Sequence, residues 1–234
     1  MEIKLTNVSK EYTLGKTVVS ALKNVNFKVQ KRDFLTIAGP SGSGKTSLLN
    51  LLGCLDIPST GQVHFDGMNV ASLSRTKLAE LRNSRIGFIF QSFNLMPVLN
   101  VYENIELPAR IGDSKMPSKE LKEWILHLID AVGLSDRIKH KPEELSGGQR
   151  QRVAIARALV NKPSIILADE PTANLDSVTG QSILDLLKKL NREENTALVF
   201  STHDIEIIDQ CDRVIRMRNG EIIVSQEEYL SEAV

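Results

Sequence analysis

Three short stretches hold residues suited to phosphate chemistry. The first, GPSGSGKTS, sets Gly39, Gly42 and Gly44 among Pro40, Ser41 and Ser43 and ends in Lys45, Thr46 and Ser47. Glycines at that spacing let successive backbone N–H groups wrap a polyphosphate, while a lysine and a hydroxyl complete the charge balance. Lys45 would reach the β- and γ-phosphates of ATP and Thr46 would ligate Mg2+. Ser47, one step into the following helix, would meet the α-phosphate at the helix's positive end. In the second stretch, Asp169 and Glu170 follow the apolar run Ile165–Ala168. A carboxylate at the end of a buried strand needs a partner or loses its charge. Asp169 would meet that need by holding magnesium through water. Glu170 is left to polarise an attacking water as general base, a role worth roughly 10²- to 10⁴-fold in rate. An acidic pair before Pro171 also suits a helix cap, but the phosphate loop upstream favours the catalytic reading.

The third stretch is LSGGQ, Leu145–Gln149. Ser146 and Gln149 have the spacing of a capping box, which would start the helix running through Arg157. Gly147 and Gly148 in that first turn weaken a helix by about 1 kcal/mol each relative to alanine. They make more sense where a phosphate approaches bare backbone, so the chain offers a second anion-binding helix start.

Buried strands would position these groups. Phe34–Ala38, Ile165–Ala168 and Ala197–Phe200 lack polar alternation, as parallel strands covered on both faces do. Their polar ends are the Gly39 loop, Asp169-Glu170 and Ser201-Thr202-His203, which can converge beyond the carboxyl edge of one sheet. Ile3–Leu5, Val25–Val29 and Gln62–Phe65 read as peripheral antiparallel strands. So does a hairpin of Arg213–Met217 and Glu221–Val224 through Asn219-Gly220. Leu121, Ile125, Leu128, Ile129 and Val132 recur at helical spacing, as do Ile183, Leu187 and Leu190. The expected fold is α/β: a phosphate-loop NTPase parallel-sheet core with a peripheral antiparallel β-subdomain and an inserted helical subdomain. Residues 1–91 and 161–234 would form the ATP-binding core and β-subdomain, and residues 92–160 the helical subdomain with the LSGGQ stretch. The loop around Ile111–Ser118 is the expected mobile segment.

Composition narrows the function. Of 234 residues 41% are apolar and 25% charged, with 29 basic and 29 acidic side chains, which is ordinary globular composition with no bias toward nucleic acid or anionic lipid. There is no apolar run of membrane-spanning length, and the first residues lack a secretory pattern, so the chain is expected in the cytosol. Cys54 and Cys211 have no metal or disulfide spacing and read as reduced structural thiols.

GPSGSGKT, the glutamine of IGFIFQ, LSGGQ, IILADEPT, NLD and the histidine of STHD occur in that order. Together they resemble the nucleotide-binding subunit of an ATP-binding cassette (ABC) transporter over essentially the whole chain. The resemblance implies a homodimer in the ATP-bound state, with ATP between one subunit's Gly39–Ser47 loop and the other's Ser146, Gly147, Gly148 and Gln149. It implies an adenine-stacking aromatic at Tyr12, a magnesium contact at Gln91, a cross-subunit contact at Asp176 and a γ-phosphate hydrogen bond from His203. As bland alternatives, Tyr12 is an edge-strand tyrosine, Gln91 a surface residue, Asp176 a helix cap and His203 structural.

NLMPVLNVYENIELP and GCLDIPSTGQVHFDG look most like the macrolide-export (MacB) and lipoprotein-release (LolD) branch, with the cell-division (FtsE) type as alternative. Such a subunit borrows a permease and sits peripherally on the cytoplasmic face of the plasma membrane. Phe93, Leu95, Met96, Val98, Leu99 and Tyr102 are candidates for the permease groove, with about half of them expected in the core. A nucleotide kinase would leave LSGGQ and NLD without a task. Ribosome- and DNA-acting ABC proteins usually carry two cassettes or a long coiled-coil insertion, neither of which is present.

Overall fold

A computed structural model of the chain describes residues 1–15, 17–112 and 116–223. Val224 of the expected hairpin and residues 113–115 of the expected mobile loop lie outside them. In chain order, β1 (Glu2–Leu14) and β2 (Thr17–Gln30) pair antiparallel, and β3 (Phe34–Ala38) leads through the glycine-rich loop into α1 (Lys45–Leu52). Next come β4 (Thr60–Phe65), β5 (Met68–Asn69), α2 (Arg75–Arg85) and β6 (Ile86–Ile89). Helices α3 (Val101–Ile111), α4 (Ser118–Ala131) and α5 (Gly147–Leu159) follow without an intervening strand. The chain then forms β7 (Ile165–Asp169), α6 (Ser177–Glu194), β8 (Ala197–Thr202), the single turn α7 (Ile205–Ile208), β9 (Arg213–Arg218) and β10 (Glu221–Ile223).

Two sheets result, a four-stranded antiparallel one ordered β2-β1-β4-β5 and a six-stranded one ordered β10-β9-β3-β8-β7-β6. The three uninterrupted apolar runs are neighbouring parallel strands of the second sheet. Successive residues of these strands face opposite sides. Ile165 and Leu167 therefore enter a core shared with α1 and the antiparallel sheet, while Ile166 and Ala168 enter one shared with α3 to α6. Both faces are apolar because both are covered.

The hairpin near residue 219 departs from expectation. β9 pairs with β10 antiparallel but also with β3 in parallel, from Leu35↔Arg213 to Ala38↔Arg216, so it belongs to the central sheet. Its alternation of Arg213, Arg216 and Arg218 with apolar residues reads as peripheral because β9 lies one strand from the sheet's edge and is only partly covered. β6, at the other edge, is a further parallel strand paired with β7.

Helices α3, α4 and α5 pack on one another, and α5 also packs on β6 and α6. A capping box between Asn100 and Glu103 starts α3. Buried Asn104 then donates to the carbonyls of Met96 and Leu99 and accepts from the Met96 amide, pinning the stretch that follows β6.

Candidate nucleotide site

The loop between β3 and α1 is shaped by its glycines. Gly44 has φ 105°, and a Cβ there would fall 2.5 Å from the Ala21 carbonyl oxygen, so no other residue fits this turn. Lys45 opens α1 with its side chain folded back, Nζ donating to the carbonyls of Gly39 (2.8 Å) and Pro40 (3.0 Å). Its ammonium is therefore held in the loop's concavity. The buried Ser43 hydroxyl has no protein partner.

The carboxyl ends of β7 and β8 complete the arrangement. Thr46 Oγ1 donates to Asp169 Oδ2 at 3.0 Å, and Ser201 Oγ donates to Asp169 Oδ1 at 2.6 Å. The same Ser201 hydroxyl accepts the Glu170 amide at 3.1 Å, so one residue of β8 holds both acidic neighbours. Glu170 has φ 46°, left-handed backbone that costs a non-glycine residue roughly 1–2 kcal/mol. His203 Nδ1 lies 3.2 Å from Glu170 Oε1. Gln91 follows β6, and its carbonyl accepts from Asn174 Nδ2 at 3.0 Å.

Tyr12, Ser41, Gly42, Gly44, Lys45, Thr46, Ser47, Gln91, Asp169 and Glu170 line one cleft of about 510 Å³, whereas His203 lines a neighbouring pocket with Gly39 and Pro40. Tyr12 donates to Asp56 Oδ2 at 3.0 Å, and its hydroxyl is also in reach of Ser47. Burial, aided by the Asp56 carboxylate, raises the Tyr12 pKa, which keeps the phenol a donor. Burial pushes the Asp56 pKa up. The Lys10 ammonium, the Ile57 amide and the Tyr12 hydroxyl outweigh it and hold Asp56 below the usual carboxylate value.

Oxygen donors at Thr46, Asp169 and Gln91 suit a hard cation such as Mg2+, which keeps waters and phosphate oxygens among its ligands. No cluster of three or more histidine, cysteine or acidic side chains able to enclose a metal occurs among the described residues. The donor set therefore fits an ion that arrives with a phosphate.

Ser146 and Asp176 stand elsewhere, each at a helix start. Ser146 Oγ accepts the Gln149 amide and Gln149 Oε1 accepts the Ser146 amide, forming the expected capping box of α5. Asp176 caps α6 through the Thr179 amide. Neither the Ser146–Gln149 turn nor Asp176 lines the cleft.

A family model described as ABC transporter matches residues 22–173, well over half the chain. This chain belongs to the ABC transporter family. An ABC transporter ATP-binding protein of Methanocaldococcus jannaschii is 47% identical over 230 residues, 97% of each chain. Another, YvrO of Bacillus subtilis, is 45% identical over 99% of this chain and 100% of its own. A macrolide export ATP-binding/permease protein, MacB of Rhodopirellula baltica, is 44% identical over 93% of this chain, which spans only 32% of that longer protein. Among solved structures, a dimeric ATP-binding cassette in a post-hydrolysis state with ADP and Pi superposes with TM-score 0.86 at 46% identity, covering 95% of this chain and 97% of that one. The ABC cassette fold and its nucleotide-binding character are thereby established.

The contacts of Ser201, Asn174 and Asp56 with Asp169, Gln91 and Tyr12 were not legible in the sequence, although the NLD stretch includes Asn174. Ser201 stands in a recognisable polar strand end, but nothing in its type distinguishes it from Thr202. Asn174 and Asp56 reach Gln91 and Tyr12 from 83 and 44 positions away in sequence. The expected permease segment also divides. Leu95 and Tyr102 pack against the core, Met96 (45%) and Val98 (71%) are exposed, and Phe93 lies under the Arg150 guanidinium. An apolar groove of about 410 Å³ lies alongside, lined by Phe88, Phe90, Leu107, Pro108 and Ile111, with only Asn94 from that segment.

Proposed function

We propose that this chain is the ATP-hydrolysing subunit of a membrane transporter, closing head to tail with a second copy on two ATP molecules and driving a partner permease. One observation carries the reading. Lys45, Thr46, Gln91, Asp169 and Glu170 share a cleft from which the Ser146–Gln149 helix start of the same chain is missing. A second copy related by a two-fold axis would supply that turn to each cleft, in two equivalent sites. The dimeric relative bound to ADP and Pi supports this arrangement.

The proposed chemistry follows from the side chains. Mg2+, held by Thr46 and Asp169 with Gln91, would neutralise phosphate charge. Lys45 adds a second cation at the β- and γ-phosphates. Glu170 orients the attacking water and takes its proton, and His203, bonded to the same carboxylate, keeps the water and the γ-phosphate in register. Asp176 and the exposed amides of Gly147 and Gly148 act across the interface. Residues 92–160 form a helical subdomain that transmits closure, and the Phe90–Ile111 groove receives a cytoplasmic helix of the permease. Relatives that carry cassette and permease in one chain, the MacB macrolide-export proteins, support a permease partner of that kind. The chain would then work at the cytoplasmic face of the membrane. Among the described residues no helix is long and apolar enough to cross it.

The test is the size of Glu170→Gln in solution with saturating Mg-ATP, measured by light scattering after chromatography. A stable dimer is expected. Single copies, under conditions where nucleotide binding is demonstrated, would overturn the proposal.

A further inference from the structure

The Tyr12 ring is tied to the far end of the phosphate-binding helix. Lys10 Nζ bonds Asp56 Oδ1 at 2.6 Å and the Ile57 carbonyl at 2.9 Å, with the two side chains only 11% and 25% exposed. The same ammonium lies 4.9 Å from the Tyr12 ring centroid. Tyr12 lines the cleft and Lys10 does not, so the cation over the ring stands outside the cleft. Asp56 stands in the turn closing α1, where its amide bonds the Asn50 carbonyl. That turn is pinned to β1 again by the Glu11 amide on Ser59 Oγ and the Ser59 amide on the Ser9 carbonyl. One short helix thus carries the phosphate cradle at its start and the anchor of the aromatic ring at its end.

We propose that Asp56, braced by Lys10, is a positioning residue for nucleotide: it tethers the Tyr12 hydroxyl and so sets the spacing between the base platform and the phosphate loop. The inference rests on Tyr12 being that platform. A ring on an edge hairpin loses freedom when a base stacks on it, and fixing one such side chain beforehand is worth roughly two- to twelve-fold in affinity.

The experiment uses the full chain, comparing Mg-ATP with magnesium tripolyphosphate, which has the phosphates and no base. Tyr12→Ala tests the platform and should weaken ATP about ten-fold or more while sparing tripolyphosphate. Tyr12→Phe keeps the π-face and loses the hydroxyl's contacts to Asp56 and Ser47, of which Asp56→Ala removes only the first. It and Asp56→Ala should each raise KM for ATP roughly three- to ten-fold, with kcat at saturation and tripolyphosphate binding unchanged. Asp56→Asn keeps one of the two oxygens that accept from Lys10 and Tyr12 and should recover part of the affinity. Asp56→Ala should add nothing in a Tyr12→Ala background. Wild-type KM in Tyr12→Phe overturns the tether, as does equal loss of tripolyphosphate binding in Asp56→Ala or full additivity with Tyr12→Ala. Unchanged ATP binding in Tyr12→Ala removes the platform itself, and the tether with it.

Discussion

A carboxylate that takes a proton from water works only while it stays in one place, and Glu170 is held from both ends. Its amide is bonded to Ser201 and its carboxylate to His203, against a backbone twisted into the left-handed region. In the proposed mechanism Glu170→Gln keeps this geometry and loses the base. Phosphate release should fall by about 10²- to 10⁴-fold with ATP binding intact by calorimetry, and near-normal turnover would remove Glu170 from the role. Ser201→Ala should lower kcat roughly ten-fold, the scale of a hydrogen bond to a charged group, with little change in nucleotide affinity. Wild-type kcat would show that Asp169 and Glu170 do not need it. The cysteines behave oppositely to a reactive group. Burial pushes Cys54 up to about 11 and Cys211 up to about 12, so thiolate is scarce well above neutral pH. Alkylation at pH 8 in the native state should be far slower than for a free thiol, and should rise toward that rate on unfolding.

At the scale of elements, the first turn of α5 separates folding from function. A Cβ on Gly147 would meet nothing closer than 3.5 Å within the chain. Gly147→Ala should therefore fold well, gaining up to about 1 kcal/mol of helix propensity. If a second copy's phosphates must reach that turn, the variant should nevertheless lose ATP-dependent dimerisation. A thermal melt together with light scattering checks both halves, and a dimer formed normally would take Gly147 out of the interface. The other end of α5 has a different task. Arg157 donates to the carbonyls of Phe93 and Asn94, and both of those residues have left-handed backbone. The helix that begins at the Ser146–Gln149 turn thus holds the segment that follows Gln91.

For the whole molecule, the proposed transmission requires that one surface sense the cleft and touch the permease. The groove between β6, α3 and α5 is the proposed surface, because Phe90 precedes Gln91 directly and Ile111, 76% exposed, forms part of the lining. Ile111→Asp should leave basal ATPase of the isolated subunit within about two-fold, since surface substitutions usually shift stability little. It should lose copurification with the permease. Retained copurification at wild-type yield would move the docking site elsewhere.

The glycine loop, the paired carboxylates at a strand end and the ordered set of short motifs are local signals. Each depends on residues a few positions apart, and so the nucleotide-binding character, the three buried parallel strands and the family could be read from sequence alone. Partnerships across the chain could not. β9 carries the polar alternation of a peripheral strand, and only its seat beside β3 makes it part of the central sheet. Ser201 and Asp56 are ordinary residues until folding brings them against Asp169 and Tyr12. Side-chain type and spacing encode what a residue can do, whereas the tertiary structure decides which distant group it does it with, because hydrogen bonds act over about 3 Å and sequence separation says nothing of that distance.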